Sequence, residues 1–412
     1  MVDMFAKRTN WPLGANPLMA KLESLRLKGE TIIDLTESNP TRCGFTYPVD
    51  QILRPLADQK NLSYAPDPRG PLGTREAVAQ SYRNKKIDVR PENVFITAST
   101  SEAYAFLFRL LVNPGERVLV PSPSYPLFEY LAQLNDVELD YYALQYNGSW
   151  RVDMDSLTRA VTQKTKAVLF VSPNNPTGSF LKRSEWTAIH KICLKNNLAL
   201  ICDEVFADYY FVHDADRVAS VAENKEVLTF SLAGASKSLG LPQMKIGWGV
   251  VGGPEPLVRG ALERLDVILD TYLSVNTPSV NALPKWLDSQ ALIQKEIFRH
   301  LRPNRQYVID STQNSDCACL KIEGGWSAIL QLPAQKDEVD WSMEFLEKDH
   351  VLVHPGYFFD LVASETESFQ RVIKSARSAY FKDGDFIVLS LLLTLDVFQE
   401  GLTRILKRIR TG

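Results

Sequence analysis

Several short segments of this 412-residue chain carry side chains whose type and setting could do chemistry. Lys237 follows the apolar run VLTFSLAGA, with Ser236 beside it, and leads into SLGLPQMKIGW, a loop holding Gly240 and Pro242. An amine there can attack a carbonyl to form an imine, or carry a proton. Asp203 ends the apolar part of LALICDEVF, where a buried carboxylate is costly unless a cation meets it. Asn175 stands in SPNNPTG at 172–178, Tyr125 in PSPSYP between Pro123 and Pro126, and Ser99, Thr100 and Ser101 in TASTSEAY. Asp203 comes 28 positions after Asn175, and Lys237 lies 34 positions further on. Each has a plainer reading: a solvated lysine, an N-cap aspartate, an Asn-Pro turn, a core tyrosine, a Ser/Thr helix cap.

The elements that must position these residues are legible as patterns. From about residue 93 to 252, apolar runs (NVFITAS, RVLVPSP, KAVLFVSP, LALICDEVF, VLTFSLAGAS, KIGWGVVGG) alternate with helical stretches. This is the mark of an α/β domain with a mostly parallel central sheet flanked by helices. The runs lack a polar alternate position, as expected of strands covered on both faces. After residue 255 a long helical stretch gives way to separated strands (DCACLKIE, SAILQLP, VLVHPG, DFIVLSLLL) and a closing helix, FQEGLTRILKRI. That change predicts a smaller α+β domain, with which the N-terminal segment packs. The expected division is 44–295 for the large domain, and 1–43 with 296–412 for the small one. In open α/β sheets ligands collect beyond the carboxyl ends of the strands, where the chemical segments fall.

Taken together, from Tyr64 to about residue 253, these segments resemble the fold type I pyridoxal-phosphate enzymes, specifically the class I/II aminotransferases related to aspartate aminotransferase. The resemblance implies pyridoxal 5'-phosphate held by Lys237 as a Schiff base. It implies Asp203 at the pyridine nitrogen, Asn175 on the ring oxygen, Tyr125 stacked on the ring, and Ser99, Thr100, Ser101 and Ser236 at the phosphate. Tyr64, in YAPDPRGPLGTREAVA, matches the tyrosine that reaches the neighbouring subunit's phosphate, so a homodimer with shared active sites is expected. The implied reaction moves an amino group from an amino donor to a 2-oxo acid acceptor. A β-eliminating lyase would use the same lysine, aspartate and asparagine, because fold and cofactor do not settle reaction type. A non-catalytic cofactor-binding regulator would need a DNA-binding segment, and the start of the chain shows neither a helix-turn-helix nor a basic excess.

Four positions depart from the family pattern. Lys245 stands where an arginine usually clamps the phosphate, Gly234 where a serine is common, and Phe206 where a tyrosine donates to the ring oxygen. A lysine supplies charge as a point rather than a bidentate fork. Val388, in DFIVLSLLL, occupies the place of the arginine that receives the substrate carboxylate. In its absence, Asn39 and Arg42 of SNPTRCGF are the candidate substrate contacts.

Composition bounds the rest. A formal net charge of −3 is unsuited to a sequence-independent hold on nucleic acid. Five cysteines without a CxxC pair suggest neither a disulfide framework nor a zinc site, and His350 and His354 flank the strand-like VLV rather than a helical turn. No metal is expected. The chain shows no signal-peptide core and no apolar run of about 18 residues, so a cytoplasmic protein without a membrane span is expected.

Overall fold

The computed structural model describes residues 4–11, 13–14, 16–273, 275–361 and 384–411. After a short β1 (Ile33–Asp34), eight strands form the central sheet: β2 (Val94–Thr97), β3 (Arg117–Ser122), β4 (Glu138–Tyr146), β5 (Trp150–Val152), β6 (Thr165–Val171), β7 (Ala199–Asp203), β8 (Thr229–Gly234) and β9 (Gly247–Gly252). They lie in the order β2-β9-β8-β7-β6-β3-β4-β5. Strands β8, β7, β6, β3 and β4 are mutually parallel. Strand β9 runs antiparallel to both β8 and β2, and β5 antiparallel to β4. Parallel neighbours need crossover connections, supplied for example by the helices Leu127–Leu134 and Arg183–Asn196.

Strands β2, β7, β8 and β9 are buried at every position, which explains their lack of polar alternation. Successive residues point to opposite faces. Phe95, Leu169, Ile201 and Phe230 pack with Leu107 and Leu265, from the helices Thr100–Leu111 and Glu255–Tyr272. Val168, Leu200 and Cys202 face the other way, onto Ile189 and Cys193. Each such aliphatic or aromatic side chain contributes about 1.5–3 kcal/mol by leaving water. Opposite Phe95 the sheet requires a glycine: a Cβ on Gly249 would sit 2.2 Å from the Phe95 ring.

The last third of the chain builds a second sheet from β10 (Ala318–Cys319), β11 (Ser327–Leu332), β13 (His354–Pro355) and β14 (Asp385–Ser390), antiparallel in the order β10-β11-β14-β13. Strand β12 (Val351–Leu352) instead pairs in parallel with β1. The N-terminal helix Pro17–Leu27 lays Leu18 and Leu22 on Leu346 and Leu352, so the start of the chain packs with its last third. The closing helix Leu395–Thr411 buries Phe398, Leu402, Ile405 and Ile409, spaced to make one apolar stripe. One apolar cluster, including Ile96, Trp248, Leu330 and Phe345, runs between the two sheets.

Two sequence readings are corrected. DCACLKIE shortens to the two residues of β10. VLVHPG is not one strand: the chain changes partners at Val353, so that β12 joins β1 and β13 joins β14. Pro355 lacks an N–H, which suits β13 to the sheet edge and stops it from continuing. Among the described residues, no helix is long and apolar enough to cross a membrane.

Candidate active site

Strands β6, β7 and β8 are parallel, and β2 shares their direction because β9 opposes both β2 and β8. Their carboxyl ends therefore meet along one edge. Asp203 is the last residue of β7. Beyond β8 the chain turns into the short helix Ala235–Ser238, which carries Lys237. Beyond β2 it enters the helix Thr100–Leu111, and beyond β6 it makes the turn of Asn174–Gly178. Asn174 builds that turn by accepting from the Thr177 N–H and hydroxyl, at 3.3 and 3.0 Å. Gly178 closes it at φ +68°, where a Cβ would lie 2.4 Å from the Gly324 carbonyl oxygen.

A cavity of about 330 Å3 opens over this edge. Asp203, Gly234, Ser236 and Lys237 lie in its wall, with Thr100 and Ser101 on one side and Tyr125, Asn175 and Phe206 on others. The second sheet and its loops contribute Trp326, Ser327, His354 and Val388. The Ser327 hydroxyl reaches Asn175 Oδ1 at 3.5 Å, a long contact between the two sheets.

Asp203 is 8 % exposed. Its Oδ2 accepts from the Tyr104 hydroxyl at 2.8 Å and its Oδ1 from the Val205 N–H at 3.0 Å. Burial pushes its carboxyl pKa up, while these two bonds and the charge of Lys237 pull it down. For Lys237 the larger effect is again burial, which lowers the amine to about 8 against the attraction of Asp203. The Lys237 Nζ lies 4.9 Å from the centre of the Trp326 ring and 5.4 Å from that of Phe206. Tyr209 donates to the Lys237 carbonyl at 2.7 Å, fixing the backbone beneath the amine. The lowered amine is a better nucleophile near neutral pH than an exposed lysine.

Five of the residues singled out from sequence stand outside the cavity wall. The Ser99 hydroxyl caps its helix by accepting from the Glu102 N–H at 3.1 Å, while Glu102 Oε2 accepts from the Ala98 N–H at 2.7 Å, so the serine oxygen is committed locally. Lys245 is exposed, at φ +50° after the turn Pro242–Met244. Tyr64 is 72 % exposed. Asn39 Oδ1 is taken up by the Thr41 N–H and hydroxyl at 3.1 and 2.7 Å. Arg42 is exposed and, among the described residues, its side chain pairs with Glu37, at 3.9 Å. The N-terminal segment instead offers Thr36 and Ser38 to the cavity. Val388 does line it, in the middle of β14 between Ile329 and His354.

Sequence reasoning missed Tyr104, Trp326 and His354. Tyr104 follows Thr100 by four residues and shares its helix face, a spacing that could have flagged it. Trp326 and His354 arrive from distant segments, with no local signal.

The description "Aminotransferase class I and II" belongs to the family model that matches residues 30–376. Escherichia coli (strain K12) glutamate-pyruvate aminotransferase AlaA is 26 % identical over 356 residues, covering 84 % of this chain and 87 % of that protein. The alanine aminotransferase of Mycobacterium tuberculosis (strain ATCC 25618 / H37Rv) is 27 % identical over 365 residues, covering 85 % and 83 %. Among solved structures, alanine aminotransferase from Pyrococcus furiosus superposes with a TM-score of 0.85 at 21 % identity, over 99 % of this chain and all of that one (100 %). Aspartate aminotransferase from Thermotoga maritima gives 0.81 at 22 % identity, over 98 % and 100 %. At these identities the structural likeness is one of fold.

Proposed function

Because this chain belongs to the class I and II aminotransferases, we propose that its cavity exchanges an amino group between an amino acid and a 2-oxo acid, with pyridoxal 5'-phosphate held on Lys237. The observation that carries this reading is the pairing of Lys237 with Asp203 in one wall. Asp203 is a buried carboxylate with two hydrogen-bond donors and, among the described residues, no ion pair. A buried acid without a cation is costly, and a protonated pyridine nitrogen is a cation of the right kind.

The other residues fit the group by their donor chemistry. Thr100 and Ser101 begin a helix, where N–H groups are unpaired and the dipole favours an anion; with the Ser236 hydroxyl they suit a phosphate. Tyr125 offers a flat face and Asn175 an amide for the ring oxygen. When bound, the cofactor supplies a carbonyl carbon that carries the amino group and a ring that accepts electrons from the substrate α-carbon. With the cofactor bound, Asp203 would hold the proton on the ring nitrogen, and the Lys237 amine would be the base for the proton at the substrate α-carbon. Trp326 and Phe206 exclude water around its amine. Tyr64 stands two residues after Leu62, and the two side chains are 72 % and 90 % exposed, which supports a homodimer in which Tyr64 serves the second copy's phosphate.

The test is a single-turnover reaction of the purified holoenzyme with a panel of amino acids. Conversion of the cofactor to its amino form, reversed by a 2-oxo acid, is expected. Release of ammonia and pyruvate from a β-substituted amino acid, with the cofactor unchanged and no acceptor needed, would overturn the reading in favour of a lyase.

A further inference from the structure

A carboxylate entering a partly dry cavity needs a charge-assisted partner. Among the described residues in the cavity wall, two side chains can be cations: Lys237 and His354. Lys237 is committed to the cofactor under the proposed aminotransferase function, and the role assigned to His354 depends on that function. We propose that His354, as imidazolium, receives the carboxylate of the amino-acid substrate, with the hydroxyl of Ser390 as its neutral neighbour.

The placement of His354 comes from strand register. His354 is the Cα partner of Val388 in the antiparallel pair β13–β14, so the two side chains lie on one face of the sheet. That face is the cavity wall, where Val388 provides no polar group and both residues stand with Ser390. The His354 ring packs against Phe358 and Phe359, with centroids 5.4 and 5.7 Å away. Neither ring nitrogen has a hydrogen-bond partner among the described residues. A half-dry imidazole without such a partner among the described residues is poised to gain one from a ligand.

The charges around it set the sign of the pH effect. Asp34, on the adjoining β1, favours the imidazolium, although it is shared with Arg26 at 3.7 Å and with the N–H and hydroxyl of Thr36. Lys237 and Asp203 line the same cavity. Glu338, from the helix Glu338–Asp349, is turned to the Tyr357 and Phe386 amides, and Asp360 lies at the end of the turn carrying Phe358. Burial outweighs Asp34 and pushes the His354 pKa below the ordinary value. In the free enzyme the ring is thus mostly neutral near pH 7, and carboxylate binding must draw a proton onto it. Affinity is then constant below the free-enzyme pKa and weakens by up to about tenfold per pH unit above it, until the raised pKa of the complex is passed.

The experiment uses the holoenzyme with 3-phenylpropionate and, as neutral control, 3-phenylpropionamide, neither of which carries an amino group. Wild type is expected to bind the carboxylate more tightly than the amide, with carboxylate affinity falling as pH rises past the free-enzyme pKa. His354→Gln should weaken carboxylate binding roughly 10- to 100-fold at low pH, the range of a hydrogen bond to a charged group, and abolish the slope. His354→Arg should bind the carboxylate with no slope up to high pH. Both variants should keep the cofactor's visible absorbance and bind the amide as wild type does. In proton NMR of the wild type, the ring signal lost in His354→Gln should titrate higher when the carboxylate is bound. Equal binding of acid and amide by wild type, or an unchanged slope in His354→Gln, would sink the assignment. If amino acids convert the cofactor but His354→Gln behaves as wild type, only the role of His354 falls; if no amino acid converts it, the aminotransferase function of the cavity falls first.

Discussion

The hydroxyl of Tyr104 donates to Oδ2 of Asp203 at 2.8 Å, so the helix that begins at Thr100 also holds the carboxylate that ends β7. Both residues are buried, and the bond favours the ionised carboxylate against the effect of burial. One side of the cavity thus couples the proposed phosphate donors to the proposed ring-nitrogen partner.

Tyr104→Phe removes that donor and, among the described residues, leaves Asp203 with the Val205 N–H as its hydrogen-bond donor. The Asp203 pKa should rise, weakening its hold on a protonated ring nitrogen. A hydrogen bond to a charged group is worth about 1.5–3 kcal/mol at most, so kcat should fall about tenfold or more, with cofactor affinity falling in parallel. Steady-state kinetics and a cofactor titration read this directly; wild-type values for both would show that Tyr104 only packs.

Borohydride reduction should fix the cofactor on the peptide containing Lys237, as peptide mass mapping would show. In the cofactor-free protein the amine should titrate near 8. The rate of cofactor uptake should rise with pH up to about 8 and level off above it, since the neutral amine is the nucleophile. Asp203→Asn removes the charge that stabilises the ammonium, so the inflection should move down. An upward movement would mean that Asp203 does not act on Lys237.

Phe206 lines the cavity and packs edge-on against Trp326, with centroids 5.2 Å apart. With the proposed cofactor bound, Phe206 would not donate to its ring oxygen, which would then keep more negative charge and favour the protonated form of the linkage to Lys237. Phe206→Tyr should lower the Schiff-base pKa in a spectral titration. No movement, or an upward one, counts against Phe206 lying beside the ring.

Gly249→Ala should destabilise the fold without touching the cavity. Its Cβ would lie 2.2 Å from the Phe95 ring, in a region buried on both sides, so the ring or a strand must shift. Overpacking of this kind costs about 1–3 kcal/mol. A lower thermal midpoint is expected, partly restored by Phe95→Leu in the same chain. A midpoint equal to wild type would mean that the sheet yields there freely.

Much of the central sheet was legible in the chain itself. Apolar runs without polar alternation, each followed by a turn, mark strands covered on both faces, and both signals sit within about ten residues of each other. The segments holding Lys237, Asp203, Asn175, Tyr125, Thr100 and Ser101 fall at strand ends for the same local reason. What the chain alone could not decide is which neighbouring side chain turns inward. Ser99 is consumed by its own helix cap, whereas Thr100 and Ser101, one and two residues on, face the cavity. Arg42 and Asn39 look suited to a substrate, yet Thr36 and Ser38 of the same segment reach the wall. His354 faces the cavity because β13 pairs with β14 in a register that sets it opposite Val388, and a shift of one residue would turn it away. Registers of this kind are set by pairing between segments more than thirty residues apart, as in β13 with β14. The composition of either segment alone therefore carries no record of them, and only the packed tertiary structure decides them.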